Sequence, residues 1–372
     1  GLQAEAVLVR LRRRHPDWQF AYTYFSPSAE ALADRLEVDV AGYLPYDLPG
    51  PVEALLDILQ PRVLAFTKLD LWPELATRAA RRGVAVALIS GTVRPGSGRL
   101  HWPSRSLLAP GYRSLTVAAA VSVEDGGRLQ SLGVPADRVR VLGDPRFDSV
   151  LDRVNRIRPD DPLLRFGAGA PTLVAGSTWP GDEAVLLDAF ARLHVHRPDA
   201  RLILVPHEPT EAHVSRLERE ASRVGLPSPV RLSAAERPVP LLLVDLVGVL
   251  ATLYGAGTIG FVGGGFHGAG LHSVLEPAAW SLPVVFGPRW TQSRDAELLL
   301  QAGGAEALAE LGTDEAGEAL QRLWEGWMVD GSRRAAQGRM GRAAVEAGAG
   351  AGDRLAGMLE ELATSPPLPL QR

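Results

Sequence analysis

Cysteine is absent from the 372 residues, so disulfides and thiolate-ligated metal are excluded from the outset. The eight histidines are scattered without an HExxH-like pair, and no catalytic metal is indicated. Long apolar runs are missing as well: 117–123 and 241–250 are too short, or too interrupted by Asp and Gly, to cross a bilayer. Neither sign of charge dominates. The 39 basic and 43 acidic residues leave a net charge of -4, which gives no electrostatic case for nucleic acid as a partner, so an anionic ligand would have to be held by local groups. No secretory signal is expected from these residues. Gly1-Leu2-Gln3 leads directly into a helix-like run with a basic face, Arg10 to Arg14, and the expectation is that the start of the first domain is missing.

What is present is an apolar fraction of 46%, enough for two ordinary cores. Helix-like and strand-like segments alternate at short spacing, the pattern of parallel α/β units. Helices are expected over 4–14, 29–36, 51–59, 75–81 and 126–132, and strands over 19–24, 63–67, 84–90, 118–122 and 139–142. From 148 to 170 the chain turns charged and then Pro/Gly-rich, as a solvated linker does. A second series follows, with strands over 172–176, 201–205, 241–245, 260–262 and 284–286 and helices over 183–193, 211–224 and 275–280. The expected organisation is α/β: an N-terminal Rossmann-like domain over 1–155, a linker over 156–170, a second Rossmann-like domain over 171–345, and a C-terminal helix and tail over 346–372. Two doubly wound parallel sheets of this kind place an interdomain cleft at the carboxyl ends of their strands.

The most informative local feature is Gly263-Gly264-Gly265 after a strand, followed by His272 and then Glu276 at the start of a helix. Such glycines let amides approach a phosphate, and Glu276 could accept from a ribose diol; a tight strand-to-helix turn would look the same. The spacing matches no GxGxxG fingerprint, which disfavours NAD. Ser177 and Thr178 end a strand ahead of a helix and could hold an anion or cap that helix. Pro206 and His207 follow another strand, within Pro206-His207-Glu208-Pro209. In the first half, Lys68 and Asp70 follow the strand ending at Thr67 and Arg146 follows the one ending at Leu142, with surface ion pairing as the plain alternative.

Tyr43-Leu44-Pro45-Tyr46-Asp47-Leu48-Pro49, with Leu71-Trp72-Pro73 beyond it, resembles the transferases of 3-deoxy-D-manno-octulosonic acid (Kdo). Gly143 with Arg146-Phe147-Asp148 is similar to that family's G-x-L-K-F-D, and Gly176-Ser177-Thr178 to its S-T-H-E-G-E. Phe261 to Gly264 with Leu275-Glu276-Pro277-Ala278-Ala279 resembles F-V-G-G…N-P-L-E-A-A, and Gly287-Pro288 with Arg294-Asp295 completes the order. The resemblance covers nearly the whole chain. It implies a GT-B glycosyltransferase that moves Kdo from CMP-Kdo onto a lipid A precursor, peripheral at the cytoplasmic face of the bacterial inner membrane. It implies no metal and no cofactor beyond the nucleotide-sugar donor.

Carried over by position, the donor site would comprise Ser177, Thr178, Pro206, His207, Val247, Gly248, Val249, Gly263, Gly264, Ser273, Val274, Leu275 and Glu276. Lys68, Asp70 and Arg146 would serve the chemistry on the acceptor side. The family's base, a Glu, falls immediately before Gly1 in this alignment. Several positions depart from the pattern. Lys68 stands where the family has a Glu, Arg146 where it has a Lys, His207 where it has an Arg, and Ser273 where it has an Asn; Val247-Gly248-Val249 replaces M-G-E. These changes leave two alternatives beside the Kdo reading: a GT-B transferase with another sugar nucleotide and acceptor, or an inactive homologue that binds a ligand or partner.

Overall fold

The computed structural model describes residues 2–268 and 270–366. It divides into two compact units, 1–149 with 348–372, and 150–347. The expected linker therefore belongs to the second unit: the helix Arg146–Arg156 runs into it, and a 3-10 turn at Leu164–Gly167 buries Phe166 and Gly167. The C-terminal segment belongs to the first.

Among the described residues the first unit has six strands: β1 (Ala21–Tyr24), β2 (Val40–Tyr43), β3 (Val63–Thr67), β4 (Ala85–Gly91), β5 (Val117–Ala120) and β6 (Val139–Val141). β1 and β2 pair in parallel by themselves, and β3-β4-β5-β6 make a parallel sheet in sequence order. Parallel strands covered on both faces need apolar side chains at every position, and the period of two then assigns each one to a layer. Val86 and Leu88 enter the core under the helices Pro49–Leu59, Pro73–Arg81, Ser104–Arg113 and Val123–Leu132. Ala87 and Ile89, the alternate residues of the same strand, pack against Val7 and Leu11 of the first helix and Leu355, Ala356 and Leu359 of the last.

The first and last helices are also joined by charge. Arg10 pairs with Asp148 at 3.2 Å and Asp353 at 3.0 Å, and Arg14 with Asp353 and Glu360. Arg12 is held by Asp39 and by the carbonyls of Trp18 and Glu37. The basic face read from the sequence is thus largely consumed inside the unit.

Among the described residues the second unit carries seven parallel strands: β7 (Thr172–Thr178), β8 (Arg201–Pro206), β9 (Val230–Arg231), β10 (Leu241–Leu243), β11 (Ile259–Val262), β12 (Val284–Phe286) and β13 (Ala305–Ala307). Their order is β13-β12-β11-β7-β8-β10-β9. The same alternation sorts Leu173, Leu202, Leu204 and Phe261 onto the helices Pro180–His196 and Thr313–Val329, and Val174, Ile203 and Leu242 onto the opposite layer with Tyr254. The chain leaves β7 toward β8 on one side and returns on the other as β11. That reversal makes the carboxyl ends of β7 and β11 the topological switch point, where open α/β sheets form their crevice.

Candidate functional site

At this switch point the two strand ends nearly touch. Gly263 N donates to Gly176 O at 2.9 Å, and a Cβ on Gly263 would lie 2.2 Å from Ser177 O. Only glycine allows that approach. Ser177 itself is left-handed, with φ +54, a conformation that costs a non-glycine residue on the order of 1 kcal/mol or more and persists only where its surroundings enforce it.

The enforcing groups are two buried carboxylates at the start of the helix Pro180–His196. Asp182 accepts from Trp179 N at 2.9 Å, Gly264 N at 2.8 Å and Phe266 N at 3.1 Å. Burial pushes its carboxyl up, and the three amides oppose that rise by stabilising the charged form. Glu183, with no exposed surface, accepts from Thr178 Oγ1 at 3.0 Å and from His213 Nε2 at 2.8 Å, and pairs with Arg216. Of the loop amides that could have cradled a phosphate, Gly264 N and Phe266 N are therefore already bound to a carboxylate of the same unit, and Gly263 N to the Gly176 carbonyl.

Above this floor sits a cluster of rings. Trp179 stacks on His267 with centroids 4.2 Å apart and planes 2° apart, and on His207 at 4.8 Å and 27°. Its indole Nε1 donates to His272 Nε2 at 3.0 Å. Burial first, then His207 and His267, push His272 below the ordinary imidazole range. Further along the loop, Glu276 pairs with Arg153 at 2.9 Å, and burial raises its carboxyl despite that partner.

The carboxyl edge of the first unit is arranged differently. Lys68 and Ser90, at the ends of β3 and β4, are both left-handed, with φ +56 and +55. Lys68 and Asp70 are exposed and make no ion pair among the described residues. Burial, and to a lesser degree the Asp70 carboxylate, push the phenols of Tyr22 and Tyr112 above their ordinary pKa. Ser90 Oγ and Tyr112 Oη are buried without a hydrogen-bond partner; Arg99 lies near enough to Tyr112 to oppose its rise, but outside hydrogen-bond geometry.

Comparison with known proteins places these two units. A family model described as 3-deoxy-D-manno-octulosonic-acid transferase matches residues 1–149. The 3-deoxy-D-manno-octulosonic acid transferase of Bordetella pertussis is 30% identical over 331 residues, 86% of this chain and 73% of that protein. The chain belongs to the Kdo transferase family. The Haemophilus influenzae transferase is 24% identical over 96% of this chain and 84% of its own length. In structure, the UDP-GlcNAc 2-epimerase of Neisseria meningitidis matches with a TM-score of 0.69 at 11% identity, covering 96% of both chains, and shows the shared GT-B fold. The protein is a Kdo-transferase-like glycosyltransferase.

Several motif residues of this family member have structural duties that their spacing did not reveal. Asp47 accepts from Glu74 N at 2.9 Å and Leu75 N at 2.8 Å, so the Tyr43–Pro49 string caps the helix that Leu71-Trp72-Pro73 opens. Arg146 is held by Asp144 at 2.8 Å. Asp148 accepts from Gly350 N at 2.9 Å and Gly352 N at 3.1 Å, capping the last helix.

Among the expected donor residues, Ser177, Thr178, Gly263 and Gly264 meet at the switch point, with Pro206 ending the neighbouring β8 and His207 directly after it. Val274 and Leu275 have fully buried side chains, whereas Ser273 is exposed. Val247 is 81% exposed beside Gly248, which is left-handed, and Val249 packs on the core near Tyr254. Trp179, Asp182 and His267 were missed. The family string S-T-H-E-G-E laid over Ser177–Asp182 would have drawn attention to Trp179 and Asp182, because they stand at its His and second Glu.

Among the described residues no cluster of His, Asp or Glu has metal-ligand geometry, and no helix is long and apolar enough to cross a membrane.

Proposed function

We propose that this transferase moves Kdo from CMP-Kdo to a lipid A-type acceptor at the cytoplasmic face of the inner membrane, with the second unit holding the donor. The observation that carries the reading is the β7/β11 switch point, where the motif residues of a Kdo transferase surround the place at which such sheets bind ligands. Ser177, His207, Ser273 and Glu276 are the donor-binding residues of this reading, while Thr178, fully buried and bound to Glu183, holds the end of the strand. Glu276 serves the ribose: its burial-raised carboxyl accepts hydroxyl hydrogen bonds at modest desolvation cost, while Arg153 keeps it oriented.

On the acceptor side, Lys68 and Arg146 supply positive charge and Asp70 a carboxylate, beside the attacking hydroxyl. Attack on the anomeric carbon releases CMP, whose departing phosphate needs donors aimed at it. No metal takes part in this reading.

A different sugar nucleotide is the second reading. It is favoured by the loop at Val247–Val249, which offers a base an apolar edge, and by an imidazole at His207 where a guanidinium was expected. Calorimetry of the complete protein with CMP, UMP, UDP and GDP at neutral pH separates them. Preference for CMP supports the Kdo reading, preference for another nucleotide replaces the donor, and binding of none removes the nucleotide-sugar assignment.

A further inference from the structure

The ring cluster at the switch point contains one hydrogen bond whose direction is fixed by chemistry. An indole nitrogen can only donate. Trp179 Nε1 lies 3.0 Å from His272 Nε2, so that imidazole nitrogen accepts and carries no proton. A neutral His272 must then hold its proton on Nδ1, where no partner is found among the described residues.

We propose that Trp179 is a positioning residue that fixes the tautomer of His272, so that a neutral imidazole offers its Nδ1–H to the anionic part of the nucleotide-sugar donor. The inference rests on the donor reading given above and names how one residue of that site is prepared. The indole is itself held on three sides: His267 lies parallel to it at 4.2 Å, His207 stacks at 4.8 Å, and its own backbone N–H is tied to Asp182 at 2.9 Å. A ring fixed in this way aims its N–H without further loss of freedom, as a preorganised donor should. The neutral state is supported independently, because burial and the neighbouring His207 and His267 disfavour a second proton on His272. A doubly protonated His272 would set two donors against each other. The family string S-T-H-E-G-E has a histidine at the position of Trp179, another ring able to present an N–H.

The decisive experiment reads tautomer and affinity together in the full chain. Nitrogen-15 correlation spectra of the imidazoles are recorded for wild type, Trp179→Phe and Trp179→His, and each is titrated calorimetrically with CMP, or with UMP, UDP or GDP if one of those binds wild type more tightly. Phe keeps a ring in the stack but cannot donate.

The expected result is an Nδ1–H His272 in wild type and a mixture of tautomers in Trp179→Phe. Nucleotide affinity should fall about tenfold in Trp179→Phe, the scale of one hydrogen bond to a charged group, and return to within about threefold of wild type in Trp179→His. An Nε2–H His272 in wild type overturns the proposal, as does a Trp179→Phe protein with a scrambled tautomer and unchanged affinity. Failure of the donor reading looks different: the tautomer still responds to the substitution while wild type binds no nucleotide, and the role given to His272 falls with that reading.

Discussion

The carboxyl edges of the two sheets solve the same backbone problem with opposite electrostatics. Each places a left-handed non-glycine residue where a strand ends, Lys68 and Ser90 in the first unit and Ser177 in the second. In the second unit the surrounding polar groups are saturated: Asp182 accepts three backbone N–H groups, and Glu183 takes a hydroxyl, an imidazole and a guanidinium. In the first unit Lys68 and Asp70 have no ion pair among the described residues, and Ser90 Oγ and Tyr112 Oη are buried without partners. Buried polar groups are normally satisfied, so a saturated edge is a finished scaffold and an unsatisfied one has capacity left for a ligand. The edge of the second unit is built in advance. In the first unit the exposed Lys68 and Asp70 stay open to solvent, and the hydroxyls of Ser90 and Tyr112 are buried unmet.

The largest expected effect tests the finished edge. Asp182→Ala strips acceptors from Trp179 N, Gly264 N and Phe266 N at once. Since each buried donor left unmet costs about 1–3 kcal/mol, the second unit should lose at least about 3 kcal/mol, read from urea unfolding monitored by amide exchange in that unit. A loss below about 1 kcal/mol would mean that water enters the loop and that the edge is not preorganised. Asp148→Ala is the counterpart in the first unit. It removes the acceptor for Gly350 N and Gly352 N and a partner of Arg10, and about 2 kcal/mol should go from the first unit alone. An equal loss in the second unit would show the two to unfold as one.

Much of this architecture can be read from residue patterns, and the reasons differ by region. The apolar runs 85–89 and 202–205 announce buried parallel strands because both faces of such a sheet are covered. The glycines at 263–265 announce close backbone approach, but not what the amides would hold, since an internal carboxylate and a bound phosphate demand the same loop. Asp182 differs from any helix-start acid only in its three partners, which belong to the fold. Asp47 and Asp148 look like motif residues and act as caps across 27 and more than 200 residues of chain, distances no local pattern reports. Arg10 to Arg14 read locally as an open basic face, but Asp353 and Glu360, which meet Arg10 and Arg14, lie at the other end of the sequence.

The smallest expected change in stability bears on the open edge and separates its two explanations. Ser90 is 1% exposed, and its hydroxyl has no partner, so the fold spends desolvation on a group that returns nothing to it. If that hydroxyl is only a packing residue, Ser90→Ala should leave stability within about 0.5 kcal/mol, or raise it slightly, and leave transfer unaffected, because a lone buried hydroxyl contributes no net hydrogen bond. If the edge receives the acceptor, the same substitution should be just as mild in urea. Transfer to the acceptor should then slow by about tenfold, with nucleotide affinity unchanged, since the loss falls on one hydrogen bond on the acceptor side only. A variant that loses stability and nucleotide affinity together would break the contrast between the two edges, because it would make Ser90 part of a shared scaffold.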